Sequence, residues 1–246
     1  MTPRPPAVRV LADAAAAVPL LLDEVRGLAQ REPGALLGFA TGGTYTQFLR
    51  ALAAELPADR LLATHLDEYL GFGPDRRGGM VHELGQSCPP VLDMLRRGRF
   101  LPVPRVGDAA TLGAHEQRLQ RAGGVALQLL GIGRNGHIAF NEPGTPFDSE
   151  FHVTTLAETT RTDARARFAP DEPPLQAVTS GLATILRARR LVLCAFGKPK
   201  AEAVRAMLTG DLSPACPASL VRRHPDVLVL LDHDAASLLT LGQASA

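Results

Sequence analysis

The chain has 246 residues, of which 46% are hydrophobic and 21% charged, and its 26 Lys and Arg against 25 Asp and Glu leave a formal net charge of +1. This is the composition of a globular α/β protein with a substantial core. It excludes the basic excess that non-specific nucleic-acid binding requires, and no apolar run reaches the ~18 residues of a membrane span.

Cys88, Cys194 and Cys216 are odd in number and contain no close pair, so they supply neither a disulfide framework nor a CxxC metal site. The first six residues are proline-rich and lack the apolar stretch of a secretion signal. A reducing cytoplasm is the expected location.

Taken in chain order, residues 8–11 read as a short strand. Residues 12–30 carry Val18, Leu21, Leu22, Val25 and Leu28 at helical spacing. Residues 36–39 read as a buried strand, 44–55 as a helix and 60–66 as another strand. Residues 125–130 and 191–196 are continuous apolar runs between turn signals, as buried parallel strands are. Residues 199–208 predict a helix and 227–231 a last strand. The glycine-, proline- and charge-rich stretches 71–79 and 169–174 read as loops. Strands alternating with helices predict one α/β domain over residues 1–246, a doubly wound, mostly parallel sheet with helices on both faces in the Rossmann-like manner. Ligands of such sheets bind beyond the carboxyl ends of the strands, so the segments following each strand are the ones to inspect.

Ala40-Thr41-Gly42-Gly43-Thr44 follows the strand 36–39. Two glycines allow a sharp turn and close approach to an anion, and successive amides and two hydroxyls favour negative charge. An ordinary strand–helix turn capped by Thr44 would look the same. It is no Walker loop, because no Gly-Lys-Ser/Thr follows. His65-Leu66-Asp67-Glu68-Tyr69 ends the next strand, where a partly desolvated Asp67 can act as a general base, although adjacent carboxylates are also common on surfaces. Gly131-Ile132-Gly133-Arg134-Asn135-Gly136-His137 matches a dinucleotide fingerprint literally, but Pro143 and Gly144 break the helix that those glycines should open. What remains is a glycine-rich loop presenting an imidazole, with Glu142 five residues on and able to fold back and orient it. Among cations, Lys200 follows the strand 191–196 and is one of only two lysines, and Arg161, Arg165 and Arg167 form a cluster. Either suits a phosphate, and the arginines would equally serve as solvated surface charges.

The order of these segments, with Gly136-His137-Ile138-Ala139-Phe140-Asn141-Glu142-Pro143-Gly144 as the most specific piece, resembles the glucosamine-6-phosphate deaminase family from about residue 36 to 231. The related 6-phosphogluconolactonases share a glycine-rich loop and a Gly-His but lack the Asn-Glu-Pro that follows. The resemblance implies conversion of D-glucosamine 6-phosphate to D-fructose 6-phosphate and ammonia, with no metal or organic cofactor. It implies Asp67 as the proton carrier between carbons 2 and 1 and His137 as the acid–base that opens the ring, supported by Glu142 and Asn135. Thr41, Gly42, Gly43, Thr44, Arg167 and Lys200 are implied as the phosphate pocket, with Arg165 as a competitor to Arg167.

There are departures. Asn135 stands where many members have Asp; it is expected to hydrogen-bond the imidazole and fix its tautomer. Residues 76–88 lack the family's His-Pro-x-Ser-Tyr stretch. Residues 145–154 hold no Arg or Lys where regulated members bind an effector phosphate, which implies hyperbolic kinetics and a monomer or small homo-oligomer. A lactone hydrolase, a galactosamine-6-phosphate deaminase and a silent sugar-phosphate sensor are the alternatives.

Overall fold

The computed structural model describes residues 5–240, so part of the leader reading, residues 1–4, lies outside the described residues. In chain order the elements are β1 (Ala7–Leu11), α1 (Ala17–Arg31), β2 (Leu36–Phe39), α2 (Thr46–Leu52), β3 (Leu62–His65), β4 (Asp67–Tyr69), α3 (Met80–Ser87), α4 (Pro90–Arg96), β5 (Phe100–Leu101) and α5 (Ala109–Arg121). They continue as β6 (Val125–Gly131), β7 (His152–Thr155), α6 (Glu158–Phe168), β8 (Gln176–Thr179), α7 (Leu182–Leu186), β9 (Arg190–Ala195), α8 (Ala201–Thr209) and β10 (Val227–Asp232).

Seven strands form one sheet in the order β1-β10-β9-β6-β2-β3-β5, all neighbours parallel. The predicted α/β sheet is therefore present. Its central strands are apolar because both faces are covered: every residue of β2 is buried, as are residues 191–195 of β9. The chain runs outward from β2 to β3 and β5, then returns to the other side of β2 as β6. That reversal makes β2/β6 the switch point, where the connections diverge and leave a crevice. β2 and β6 approach closely there. A Cβ on Gly38 would lie 2.1 Å from Oε1 of Gln128, its β6 neighbour, so only glycine fits without displacing that amide.

Several boundaries differ from the sequence reading. The first helix begins at Ala17 rather than residue 12, after a turn in which Asp13 accepts from the Ala16 amide at 2.9 Å. The second begins at Thr46 after a single 3-10 turn, Gly43–Tyr45. The strand expected over 60–66 is shorter. It stops at His65, and after Leu66 the chain re-enters as β4 in a separate antiparallel sheet, β4-β8-β7. That second sheet went unpredicted because its strands are only three or four residues long, too short for a period to register. It positions the site, for it holds Asp67 opposite Thr179.

Candidate active site

A cavity of about 410 Å³ opens at the switch point, lined by the loop after β2, the start of β4, the loop after β6, α3, α6 and Lys200. All but two of the predicted site residues line it: Thr41, Gly42, Gly43, Thr44, Asp67, His137, Arg167 and Lys200. Glu142 and Asn135 stand behind His137.

The loop after β2 turns at Gly42, whose φ of 87° is a conformation that favours glycine. Tyr45 anchors the loop from below, its hydroxyl donating to the Leu130 carbonyl of β6 at 2.8 Å. Thr41 donates to Sδ of Met80 at 3.1 Å, joining this loop to the first residue of α3. Lys200 ends the 3-10 turn that follows β9, and burial lowers its pKa. Arg167, at the end of α6, donates to the Tyr69 hydroxyl at 2.9 Å, while its Nε is buried without a partner. Arg165 instead faces outward to Glu158 and Glu172, and Arg161 pairs with the same two acids. The structure thus separates the three arginines: only Arg167 lines the cavity.

Asp67 opens β4 and is 8% exposed. Burial pushes its carboxyl up to about 7; the adjacent Glu68 charge adds to the rise and Arg167 opposes it. A carboxyl in that range is matched to taking up and releasing a proton near neutrality.

The loop after β6 is a tight glycine turn. The Gly133 amide donates to the His137 carbonyl at 2.9 Å and the Gly136 amide to the Gly133 carbonyl at 3.0 Å. Gly136 has φ of 85°. A Cβ on Gly133 would meet Cε1 of His137 at 2.3 Å, so that glycine makes room for the ring. Asn141, fully buried, donates to the carbonyls of Ile138 and Ser180 and fixes the far end of the loop, which forms an isolated bridge rather than a helix. The dinucleotide reading is absent from the structure for that reason.

Glu142 does fold back onto His137. Its Oε2 lies 3.5 Å from Nδ1 and its Oε1 accepts from the Thr160 hydroxyl at 2.6 Å and the Ala157 amide at 3.1 Å. Burial works to raise this carboxyl, but hydrogen bonds from His137, Thr160 and Asn135 and the His137 charge outweigh it and hold it down at about 2. Asn135 differs from expectation. It makes no hydrogen bond to the imidazole; its Oδ1 accepts from the His137 backbone amide at 3.2 Å and its Nδ2 donates to Glu142 Oε2 at 2.8 Å. Its hydrogen bonds reach the His137 backbone and the Glu142 carboxylate rather than the ring.

Sequence reasoning assigned no role to Thr160, Met80, Glu83 or Ser87. Thr160 reaches both Glu142 and His137 Nδ1, the latter at 3.3 Å. The unfamiliar segment 76–88 contains α3, which places Met80, Glu83 and Ser87 at helical spacing on the cavity wall. Gly78, Gly79 and Gly85 mask that helix in the sequence. Among the described residues no group of three or more His, Cys, Asp or Glu is arranged to hold a metal ion.

A raised carboxyl, an imidazole with its carboxylate, and a glycine loop with two cations meet around one crevice of a parallel sheet, an arrangement able to carry acid–base chemistry beside a bound anion. The model described as glucosamine-6-phosphate isomerases/6-phosphogluconolactonase matches residues 10–230. A glucosamine-6-phosphate deaminase of Bacillus velezensis is 43% identical over 215 residues, 84% of this chain and 89% of the relative. A solved structure of a monomeric glucosamine-6-phosphate deaminase superposes with a TM-score of 0.81 at 37% identity, covering 94% of this chain and 99% of that one. A 6-phosphogluconolactonase from Trypanosoma cruzi shares the fold, with a TM-score of 0.76 at 20% identity and 98% of each chain covered. The chain belongs to the glucosamine-6-phosphate isomerase/6-phosphogluconolactonase family.

Proposed function

We infer that the protein is a glucosamine-6-phosphate deaminase, converting D-glucosamine 6-phosphate and water to D-fructose 6-phosphate and ammonia. The observation that carries this reading is Asp67, a buried carboxyl raised to about 7 and facing the same cavity as the His137–Glu142 pair. Lactone hydrolysis needs an activated water and a phosphate pocket, and has no use for a second acid–base group poised there.

In this reading the loop 41–44, Arg167 and Lys200 hold the phosphate. Glu142 occupies the Nδ1 side of His137, so Nε2 is the ring nitrogen left to move protons at the ring oxygen and the anomeric hydroxyl. Asp67 takes the proton from carbon 2 of the open aldehyde while oxygen 1 gains a proton given up by the substrate ammonium, giving an enolamine, and Asp67 then returns its proton to carbon 1. Water then adds to the resulting carbon 2 imine and ammonia leaves. Glu142, Asn135 and Thr160 keep the imidazole oriented throughout.

The chain is proposed to act as a single domain and as a monomer or small homo-oligomer. In the stretch 145–154, Glu150 pairs with Arg187 at 2.9 Å and no Arg or Lys lies within it, which supports the expectation of unregulated, hyperbolic kinetics. No helix among the described residues is long and apolar enough to cross a membrane; a cytoplasmic location is part of the same proposal. The experiment is a side-by-side assay of ammonia release from glucosamine 6-phosphate and of 6-phosphogluconolactone hydrolysis. Ammonia with negligible lactone turnover is expected. Lactone turnover without ammonia overturns the reading, and saturable binding with neither would leave a sensor.

A further inference from the structure

Glu68 follows Asp67 directly, and successive strand side chains point to opposite faces. Asp67 and Tyr69 line the cavity, whereas Glu68 turns away from it and is 1% exposed. A buried carboxylate is unfavourable unless its oxygens are hydrogen-bonded. Among the described residues Glu68 forms no ion pair. Instead Oε1 accepts from the amides of Tyr69 and Met80, each at 2.9 Å, and Oε2 from the amide of Val81 at 3.0 Å. Met80 and Val81 begin α3, whose first amides have no partner within the helix.

The attachment leads back into the site. Sδ of Met80 is where the two sides of the anion pocket converge: the Thr41 hydroxyl reaches it at 3.1 Å and Nη1 of Arg167 at 3.9 Å. One carboxylate therefore joins the strand carrying Asp67 to the residue on which Thr41 and Arg167 both rest. The backbone is shaped for it, since a Cβ on Gly79 would lie 3.2 Å from Oε1 of Glu68 and 3.1 Å from the Arg76 carbonyl.

We propose that Glu68 is a positioning residue for the reaction, fixing Asp67 relative to the phosphate end of the cleft and keeping a second negative charge beside it. This rests on the deaminase reading. The charge matters because a nearby anion disfavours ionisation of its neighbour, and Glu68 follows burial as a cause of the raised Asp67 carboxyl. The other charged or titratable groups around the same cavity are Tyr69 on the same strand, His65 from β3, Glu83 from α3, Asp163 and Arg167 from α6, His137 and Lys200. Arg167 opposes the effect of Glu68 on Asp67; on Glu68 itself burial raises the carboxyl, against the amides of Val81, Met80 and Tyr69 and the Arg167 charge, which favour its ionised form. A neutral cap would tether α3 as well; the carboxylate adds the charge.

The test uses the full chain with Glu68→Gln and Glu68→Asp, and follows the Asp67 carboxyl by carbon NMR, assigned with Asp67→Asn, alongside the pH profile of kcat/KM. In Glu68→Gln the Asp67 midpoint should fall by roughly one pH unit, as removal of a close charge predicts, and the acid limb of kcat/KM should move down with it. Glu68→Asp should leave the midpoint in place and, by slackening α3, raise KM roughly 10-fold, consistent with lost positioning. An unmoved midpoint in Glu68→Gln overturns the proposal, as does wild-type KM in Glu68→Asp. If Glu68→Gln does not fold, Glu68→Asp decides: raised KM with an unmoved midpoint supports the proposal, and any other result overturns it. The titration is independent of turnover, so a shifted midpoint in a protein that releases no ammonia would mark failure of the deaminase reading alone.

Discussion

The side-chain amide of Asn135 donates to Oε2 of Glu142 at 2.8 Å, and that same oxygen lies 3.5 Å from Nδ1 of His137. The carboxylate is thus held between an amide that orients it and the imidazole it orients. Glu142→Gln keeps the shape but removes the charge and turns one acceptor into a donor facing Asn135 Nδ2. We expect kcat to fall roughly 10²-fold, in the range of acid–base contributions, with a much smaller change in KM. Steady-state kinetics of the variant checks this; a kcat within threefold of wild type would show that His137 is oriented without Glu142.

Gly133 makes a second, steric claim on the same ring. Alanine there would place a Cβ 2.3 Å from Cε1 of His137. The obstacle is a side chain rather than backbone, so the fold should survive with the imidazole displaced. A shift of about 1 Å can lower turnover roughly 10²-fold. The expected result for Gly133→Ala is a near-native melting curve with kcat reduced to that extent. Full activity would place the ring's working position elsewhere.

The raised carboxyl of Asp67 has consequences for both rate and stability. A base must be deprotonated, so kcat/KM should fall as pH drops below about 7. For stability the folded pKa lies above the unfolded value of about 3.9. The neutral form therefore favours the fold at low pH, and that contribution disappears as pH rises through about 7. Asp67→Asn should raise Tm by several degrees at pH 8, at roughly 2–4 °C per kcal/mol, and change it little at pH 4. Calorimetry at the two pH values reads this directly; a variant destabilised at pH 8 would mean that the ionised carboxylate is well solvated or paired.

Arg167 and Lys200 line the cavity, whereas Arg165 pairs with Glu158 and Glu172 outside it. Lys200→Ala and Arg167→Ala should raise KM more than they lower kcat, because phosphate contacts remote from carbons 1 and 2 act largely as uniform binding. Arg165→Ala should leave both constants within about twofold, as exposed pairs contribute little. Equal effects of Arg165→Ala and Arg167→Ala on KM would contradict the separation of the two side chains.

What was legible in the sequence follows from period and punctuation. Apolar runs such as 125–130 and 191–196 are long enough to identify central strands, and the loops behind them carry glycine patterns that survive as turns. The short strands β4, β7 and β8 left no period, so the second sheet that aligns Asp67 with Thr179 was invisible. Helix α3 was hidden by its glycines, and with it the Glu68–Met80 attachment. Glu142 folding back was readable because it lies only five positions after His137, whereas the Asn135 contact depended on which way an amide turns inside a tight loop. The choice among Arg161, Arg165 and Arg167 required the phase of α6, set by packing that composition does not reveal.

In the proposed reaction Asp67 carries the proton of an aldose–ketose isomerisation ending in loss of ammonia. The most direct test is ammonia and fructose 6-phosphate released from glucosamine 6-phosphate, measured for the wild type and for Asp67→Asn, with substrate binding measured in parallel. The wild type should release one ammonia per fructose 6-phosphate. Asp67→Asn should run at less than roughly a hundredth of the wild-type rate, with binding retained, in keeping with the contribution of a positioned base. No ammonia from the wild type, or an Asp67→Asn variant that keeps more than about a tenth of the rate, falls outside that range and would contradict the proposed reaction.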